Sequence, residues 1–155
     1  MKTQLNFSSD YIKEIVKKLN SLLADYEIFY QNLRGFHWNI KGKDFFVLHA
    51  KFEELYNEVA EIIDEIAERI LTLGETPLHS YSEFLQNSDL KEAKNISEGN
   101  KTVEITIENL KQLIGKKREI IKEASSNSDD GTVTLLSDIL TKEEKTLWML
   151  NSLIN

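Results

Sequence analysis

The stretch from His37 to Ile70, HWNIKGKDFFVLHAKFEELYNEVAEIIDEIAERI, carries two of the chain's three histidines and a ladder of carboxylates. Its apolar residues Phe52, Leu55, Val59, Ile62, Ile63, Ile66 and Ile70 recur at intervals of three and four, which is the helical period. A helix is therefore expected from about Asp44 to Leu73, stopped by Gly74 with Pro77 just beyond, since proline cannot extend it. At about 1.5 Å per residue it is roughly 45 Å long, a length that suits a bundle.

The polar residues of this helix have their own order. At about 100° per residue, with His49 at zero, Glu53 falls near 40°, Asp64 near 60° and Glu68 near 100°, all on one strip with Ala60 and Ala67. By the same arithmetic the apolar stripe lies at about 220° to 320°. The strip is therefore not part of the main core face. A single carboxylate off the core face is usually solvated, and a lone histidine is usually structural. The combination is more specific: His49 and Glu53 sit at i,i+4, a spacing that lets both grip one ion, Asp64 and Glu68 repeat it, and the alanines admit a second helix. His37, four residues after Leu33, is placed to point toward the same side.

The two pairs are about 15 residues apart, roughly 22 Å along a helix, so one ion cannot bind both pairs of one chain. An antiparallel copy packed about a two-fold axis near Glu58 and Val59 would set His49 and Glu53 opposite the other chain's Asp64 and Glu68. Two equivalent sites would then lie between chains. Nitrogen and carboxylate donors suit non-haem iron, and would also accept zinc or manganese.

Outside this stretch the chain also reads as helix. One first helix starts after Ser8 or Ser9 and ends near NIKGKD; another runs from about Thr102 to Ser125, before SSNSDDGT; the last runs from about Thr132 to the end. The connection between Glu75 and Lys101 is too long for a hairpin turn, and SYSEFLQ within it reads as a short helix. The expected fold is all-α, a single domain over 1–155, with four long helices and one long crossover in the ferritin-like arrangement.

Composition narrows the chemistry further. With no cysteine, disulfides, thiolate zinc sites and iron–sulfur clusters are excluded, so any metal is held by nitrogen and oxygen. No apolar run reaches the roughly 18 residues of a membrane span, and the start MKTQLNFSSDYIKEIVKKLN has no hydrophobic block, so the cytoplasm is the expected compartment. A net charge of -7 disfavours nucleic acid, and only Lys2 precedes the first helix.

This ladder resembles that of the Dps mini-ferritins, the DNA-protecting proteins of starved cells. Their pattern H-x11-H-x3-D-x10-D-x3-E is met by His37, His49, Asp64 and Glu68, with Glu53 where many members have aspartate. FHWNIKG, FFVLHAKFEELY, IDEIAERI, LGETP and the late WML are also similar, so the resemblance covers most of the chain. It implies a hollow dodecamer with ferroxidase centres at two-fold interfaces, which oxidises ferrous iron preferentially with hydrogen peroxide, stores ferric mineral and relieves oxidative stress. His37, His49 and Glu53 would come from one subunit, Asp64 and Glu68 from its partner.

The resemblance also places acidic side chains around three-fold pores, at Asp129 and Asp130, though Thr134 stands where aspartate is frequent and Asp138 would have to compensate. The plainer reading is that Asp129 or Asp130 caps the last helix. Trp38 either packs an interface or donates electrons to an oxidant, and Glu54, Glu58, Glu61 and Glu65 form a strip that is either solvated or faces a mineral cavity. Two other functions compete with iron oxidation. One is a DNA-binding nucleoid protein, disfavoured by the missing basic tail. The other is a structural bundle whose ladder is only an interface, which metal titration separates from a ferroxidase.

Overall fold

The computed structural model describes residues 5–155; Lys2 lies outside the described residues. The elements are α1 (Ser9–Asn39), α2 (Phe45–Thr72), α3 (Tyr81–Asn87), α4 (Gly99–Ser126) and α5 (Asp130–Ile154), with no strand among the described residues. α1 packs along α2, α4 along α5, and α1 against α3 and α4. The turns at 40–44 and 127–129 are short, so each long pair is an antiparallel hairpin.

Local chemistry explains the boundaries. Ser8 accepts from the Tyr11 N–H and starts α1. Gly74, at φ 89°, takes the left-handed backbone that ends α2. Ser80 and Glu83 form a reciprocal capping box on α3. α4 begins at Gly99 rather than Thr102 because Glu98 caps it, accepting from the Asn100 and Lys101 N–H groups. Asp129 accepts from the Thr132 N–H, so α5 begins at Asp130 rather than Thr132.

The long crossover has little helical period of its own, and polar side chains of α1 hold it in place. Asn20 accepts from the Leu78 N–H at 2.9 Å. Buried Asp25 accepts from the Asp89 N–H at 2.7 Å and the Ser88 hydroxyl at 2.9 Å, and pairs with Lys116. Asn32 accepts from the Ala93 N–H and donates to the Lys91 carbonyl. These bonds satisfy backbone groups that would otherwise be left unpaired beside the bundle. The crossover ends where Lys41 N–H donates to Ser97 carbonyl at 2.9 Å, back at the α1–α2 turn.

The core combines aliphatic residues such as Leu19, Leu22, Leu33, Ile66, Leu113 and Leu136 with the aromatic rings of Phe29, Phe36 and Phe52, all buried. A charged pair with a phenol interrupts it between α1, α4 and α5. Lys117 of α4 is fully buried and donates to Glu143 of α5 and to the Tyr26 hydroxyl of α1, while Tyr26 donates to Glu143 at 2.6 Å. Burial lowers the Lys117 pKa from its ordinary value, against the opposing pull of Glu143. Burial and the Glu143 carboxylate push Tyr26 well up.

Candidate metal centre

His37 lies in the last turn of α1 and His49 in the second turn of α2, so the hairpin turn between them brings both to one end of the bundle. Their rings stack, with centroids 3.9 Å apart and planes at 13°. His37 Nδ1 is 2.6 Å from the His49 carbonyl, and His49 Nδ1 is 2.8 Å from the His37 carbonyl. A carbonyl only accepts, so each Nδ1 carries the proton. With each Nδ1 committed to a carbonyl, Nε2 is the ring nitrogen left to meet a ligand, the arrangement that orients a metal-ligating imidazole. Neither Nε2 has a hydrogen bond among the described residues. Phe45 stacks on His49 at 4.9 Å, and Tyr56 meets the His37 ring edge-on at 5.4 Å.

The three carboxylates are placed differently. Glu53, Asp64 and Glu68 are exposed on α2, and none makes a hydrogen bond or ion pair through its carboxylate among the described residues. Elsewhere Glu54 pairs with Lys51, Glu123 with Lys18 and Glu144 with Arg118. Glu53 thus lies open about one turn from His49, while Asp64 and Glu68 lie open roughly 22 Å from that pair along α2. No three His, Asp or Glu side chains of the single chain converge on one ion position among the described residues. The fold brings His37 and His49 together and leaves the carboxylates on an open face.

The ferritin-like domain family matches residues 16–155. The DNA protection during starvation protein of Porphyromonas gingivalis is 41% identical over 141 residues, which is 91% of this chain and 89% of that protein. A crystal structure of a Dps protein from Vibrio cholerae O1, described as a member of the ferritin-like diiron-carboxylate superfamily, superposes with a TM-score of 0.97. It is 41% identical and covers 100% of this chain and 98% of that one. A Dps crystal structure from Bacillus brevis reaches a TM-score of 0.92 at 31% identity, covering 96% of this chain and 99% of that one.

The chain belongs to the ferritin-like Dps family.

Two other acidic features of this Dps member separate in the structure. Of the acids near the start of α5, Asp129 is fully buried and is a cap, whereas Asp130, Thr134 and Asp138 are exposed. Asp129 accepts from the Tyr11 hydroxyl at 2.7 Å, from the Thr132 N–H and hydroxyl, and from Arg69 at 2.6 Å. Burial alone would raise its pKa, but the Thr132 and Tyr11 hydrogen bonds and the Arg69 guanidinium hold it below the usual carboxylate range. A groove of about 370 Å³ between α2 and α5 is lined by Glu58, Glu61, Glu65, Asp138 and Lys142. Burial, and then the neighbouring Glu54, raises the Glu58 pKa.

Tyr56 and Phe45, whose rings pack on the two histidines, lie outside the spacing pattern of the candidate ligands. Both signals were present: Phe45 is four residues before His49, and Tyr56 falls at about 340°, between the strip of candidate ligands and the apolar stripe.

Proposed function

We propose that this Dps protein is a ferroxidase that oxidises ferrous iron with hydrogen peroxide at sites shared by two chains, and stores the ferric product inside a closed dodecameric shell. The observation that carries the reading is the reciprocal Nδ1 bonding of His37 and His49, which leaves both Nε2 atoms free at one end of a helix whose Glu53, Asp64 and Glu68 are exposed and unpaired. Glu53 completes the half-site of one chain, and Asp64 and Glu68 of a two-fold partner supply the other half. α2 separates those pairs by roughly 22 Å, so only a second chain can close the site.

Each ferrous ion gives up one electron. Two such ions reduce one peroxide, whose O–O bond breaks as two protons are taken up to make two waters. Imidazole and carboxylate donors favour the more highly charged ferric product, and consuming peroxide and ferrous iron together suppresses hydroxyl-radical formation. Zinc and manganese fit the same donors in vitro. The exposed acids of the α2–α5 groove would concentrate cations where mineral forms. No helix among the described residues is long and apolar enough to cross a membrane, and the reading takes the cytoplasm as the compartment.

Two variants test the shared site. His49→Ala and Asp64→Ala each damage both sites of every dimer, so each alone should oxidise iron slowly. After joint refolding, a mixed dimer has one site with both defects and one intact site, made from His49 and Glu53 of the Asp64 variant and Asp64 and Glu68 of the His49 variant. Peroxide-dependent oxidation above both parents is expected. No recovery after verified co-assembly would overturn the two-chain site, and a stable monomer by light scattering at micromolar concentration would remove its basis.

A further inference from the structure

Buried polar side chains cross the bundle from one side to the other. At the inner end is Glu143 of α5, which is buried yet lines the groove between α2 and α5 with Glu58, Glu61, Glu65, Asp138 and Lys142. Glu143 accepts from the Tyr26 hydroxyl of α1 at 2.6 Å and from the Lys117 ammonium of α4, and Lys117 also donates to Tyr26 at 2.7 Å. Three helices thus converge on one carboxylate inside an otherwise apolar core.

A second cluster begins one residue round each helix. Asp25 precedes Tyr26 on α1, Lys116 precedes Lys117 on α4, and the two form an ion pair. Asp25 is buried, whereas Lys116 also pairs at 2.7 Å with Asp89 of the crossover, whose side chain is 73% exposed. This outer cluster is built from α1, α4 and the crossover, and the groove from α2 and α5. No hydrogen bond joins the outer cluster to the inner one among the described residues, but the two are electrically coupled: after burial and Glu143, the Asp25 charge is the remaining influence on the pKa of both Tyr26 and Lys117. An ammonium has three N–H groups, and Lys117 uses two of them on Tyr26 and Glu143. Stability does not account for the arrangement, because a buried ion pair can commonly be replaced by apolar residues of similar volume without loss.

We propose that Glu143, Lys117 and Asp25 carry protons through the wall of the shell, from the acidic groove to the outer surface. This rests on the closed ferroxidase shell described above. Two ferrous ions, one peroxide and two waters yield two FeOOH units and four protons, and protons that stay inside oppose further hydrolysis. Glu143 takes up a proton from the groove. Lys117 passes one of its own to Asp25, its flexible stem swinging across the gap, and Asp25 releases it to water beside Asp89. Glu143 then returns its proton to the neutral lysine, directly or through the Tyr26 hydroxyl, which restores the ion pair. One proton has crossed and no charge is left behind. Burial lowers the Lys117 pKa, which eases the step in which the ammonium gives up its proton.

The path runs in either direction, so the test follows proton entry into the assembled shell with no iron present. The full chain is reassembled around hydroxypyrenetrisulfonate, a bulky anionic dye whose fluorescence reports pH, and the outside pH is stepped in a stopped-flow mixer. Lys117→Met with Glu143→Leu removes both titrating groups of the inner cluster together, and Asp25→Asn keeps the shape of the outlet side chain. Each should slow equilibration of the trapped dye several-fold relative to the native shell. Should the double variant fail to assemble, Asp25→Asn decides alone. Equal rates in the native shell and Asp25→Asn would overturn the proton path and leave the ferroxidase reading intact. A native assembly that cannot hold the dye would sink the closed shell and the path with it.

Discussion

His37 and His49 each donate Nδ1–H to the other's backbone carbonyl, at 2.6 and 2.8 Å, across the turn that joins α1 to α2. The bonds couple the tautomer of each ring to the packing of the opposite helix. His37→Ala therefore does more than delete one nitrogen, because it also removes the ring on which His49 stacks. Affinity for cobalt, used as a spectroscopic stand-in for ferrous iron, should fall by about 10–100-fold. An unchanged cobalt titration would mean that the histidines are structural.

The Asp129 network should make the protein acid-sensitive. Its carboxyl is held below the ordinary value of 3.8, so its stabilisation is fully present above that value. As pH falls through the lower folded value, the proton breaks the bonds to Arg69 and Tyr11 and the contribution is lost. Asp129→Asn should be less stable at neutral pH and should show a shallower loss of stability in acid below about pH 4. Urea titrations at several pH values would give both slopes; parallel slopes would dismiss this role.

Gly131 matters for the same network. A Cβ there would lie 2.8 Å from Arg69 Nη1 and 2.9 Å from Nη2. Gly131→Ala improves helix propensity by roughly 1 kcal/mol but must displace the guanidinium from Asp129. Because that pair is buried on the Asp129 side, its loss costs about 1–3 kcal/mol, and after the helix gain a net loss of up to about 2 kcal/mol is expected by thermal unfolding. A gain in stability would show that Arg69 moves aside freely.

Within the core, Lys117→Met should cost roughly 3–5 kcal/mol, because Glu143 then stays buried without its cation. Lys117→Met with Glu143→Leu should recover most of this, leaving chiefly the Tyr26 hydroxyl unpaired. A double variant no better than the single one would mean that packing, not charge, sets the cost.

DNA retardation should be absent at neutral pH and physiological salt. The chain carries -7, and binding of a polyanion needs clustered Lys and Arg that displace counterions. Tight duplex binding without added divalent metal would reveal a local basic patch strong enough to defeat the net charge.

The residue sequence by itself determined the helices and the shared strip of candidate ligands. Spacing of three and four sets which side chains share a helix face, and that arithmetic holds whatever the helix packs against. It therefore placed His49, Glu53, Asp64 and Glu68 together on α2, and the stops at Gly74 and Pro77 were equally local. Helix starts were less legible: Asp129 was readable as one of two candidate caps of α5, but Glu98, which caps α4, is as a letter no different from an ordinary surface acid. Only the tertiary structure decided contacts between residues remote along the chain. It stacked His37 on His49, turned Asp129 inward to Tyr11 and Arg69, and set Tyr56 between His37 and Tyr30. Those contacts depend on how two helices face each other across a turn or a crossover, and the period of one helix carries no information about the rotation of its neighbour.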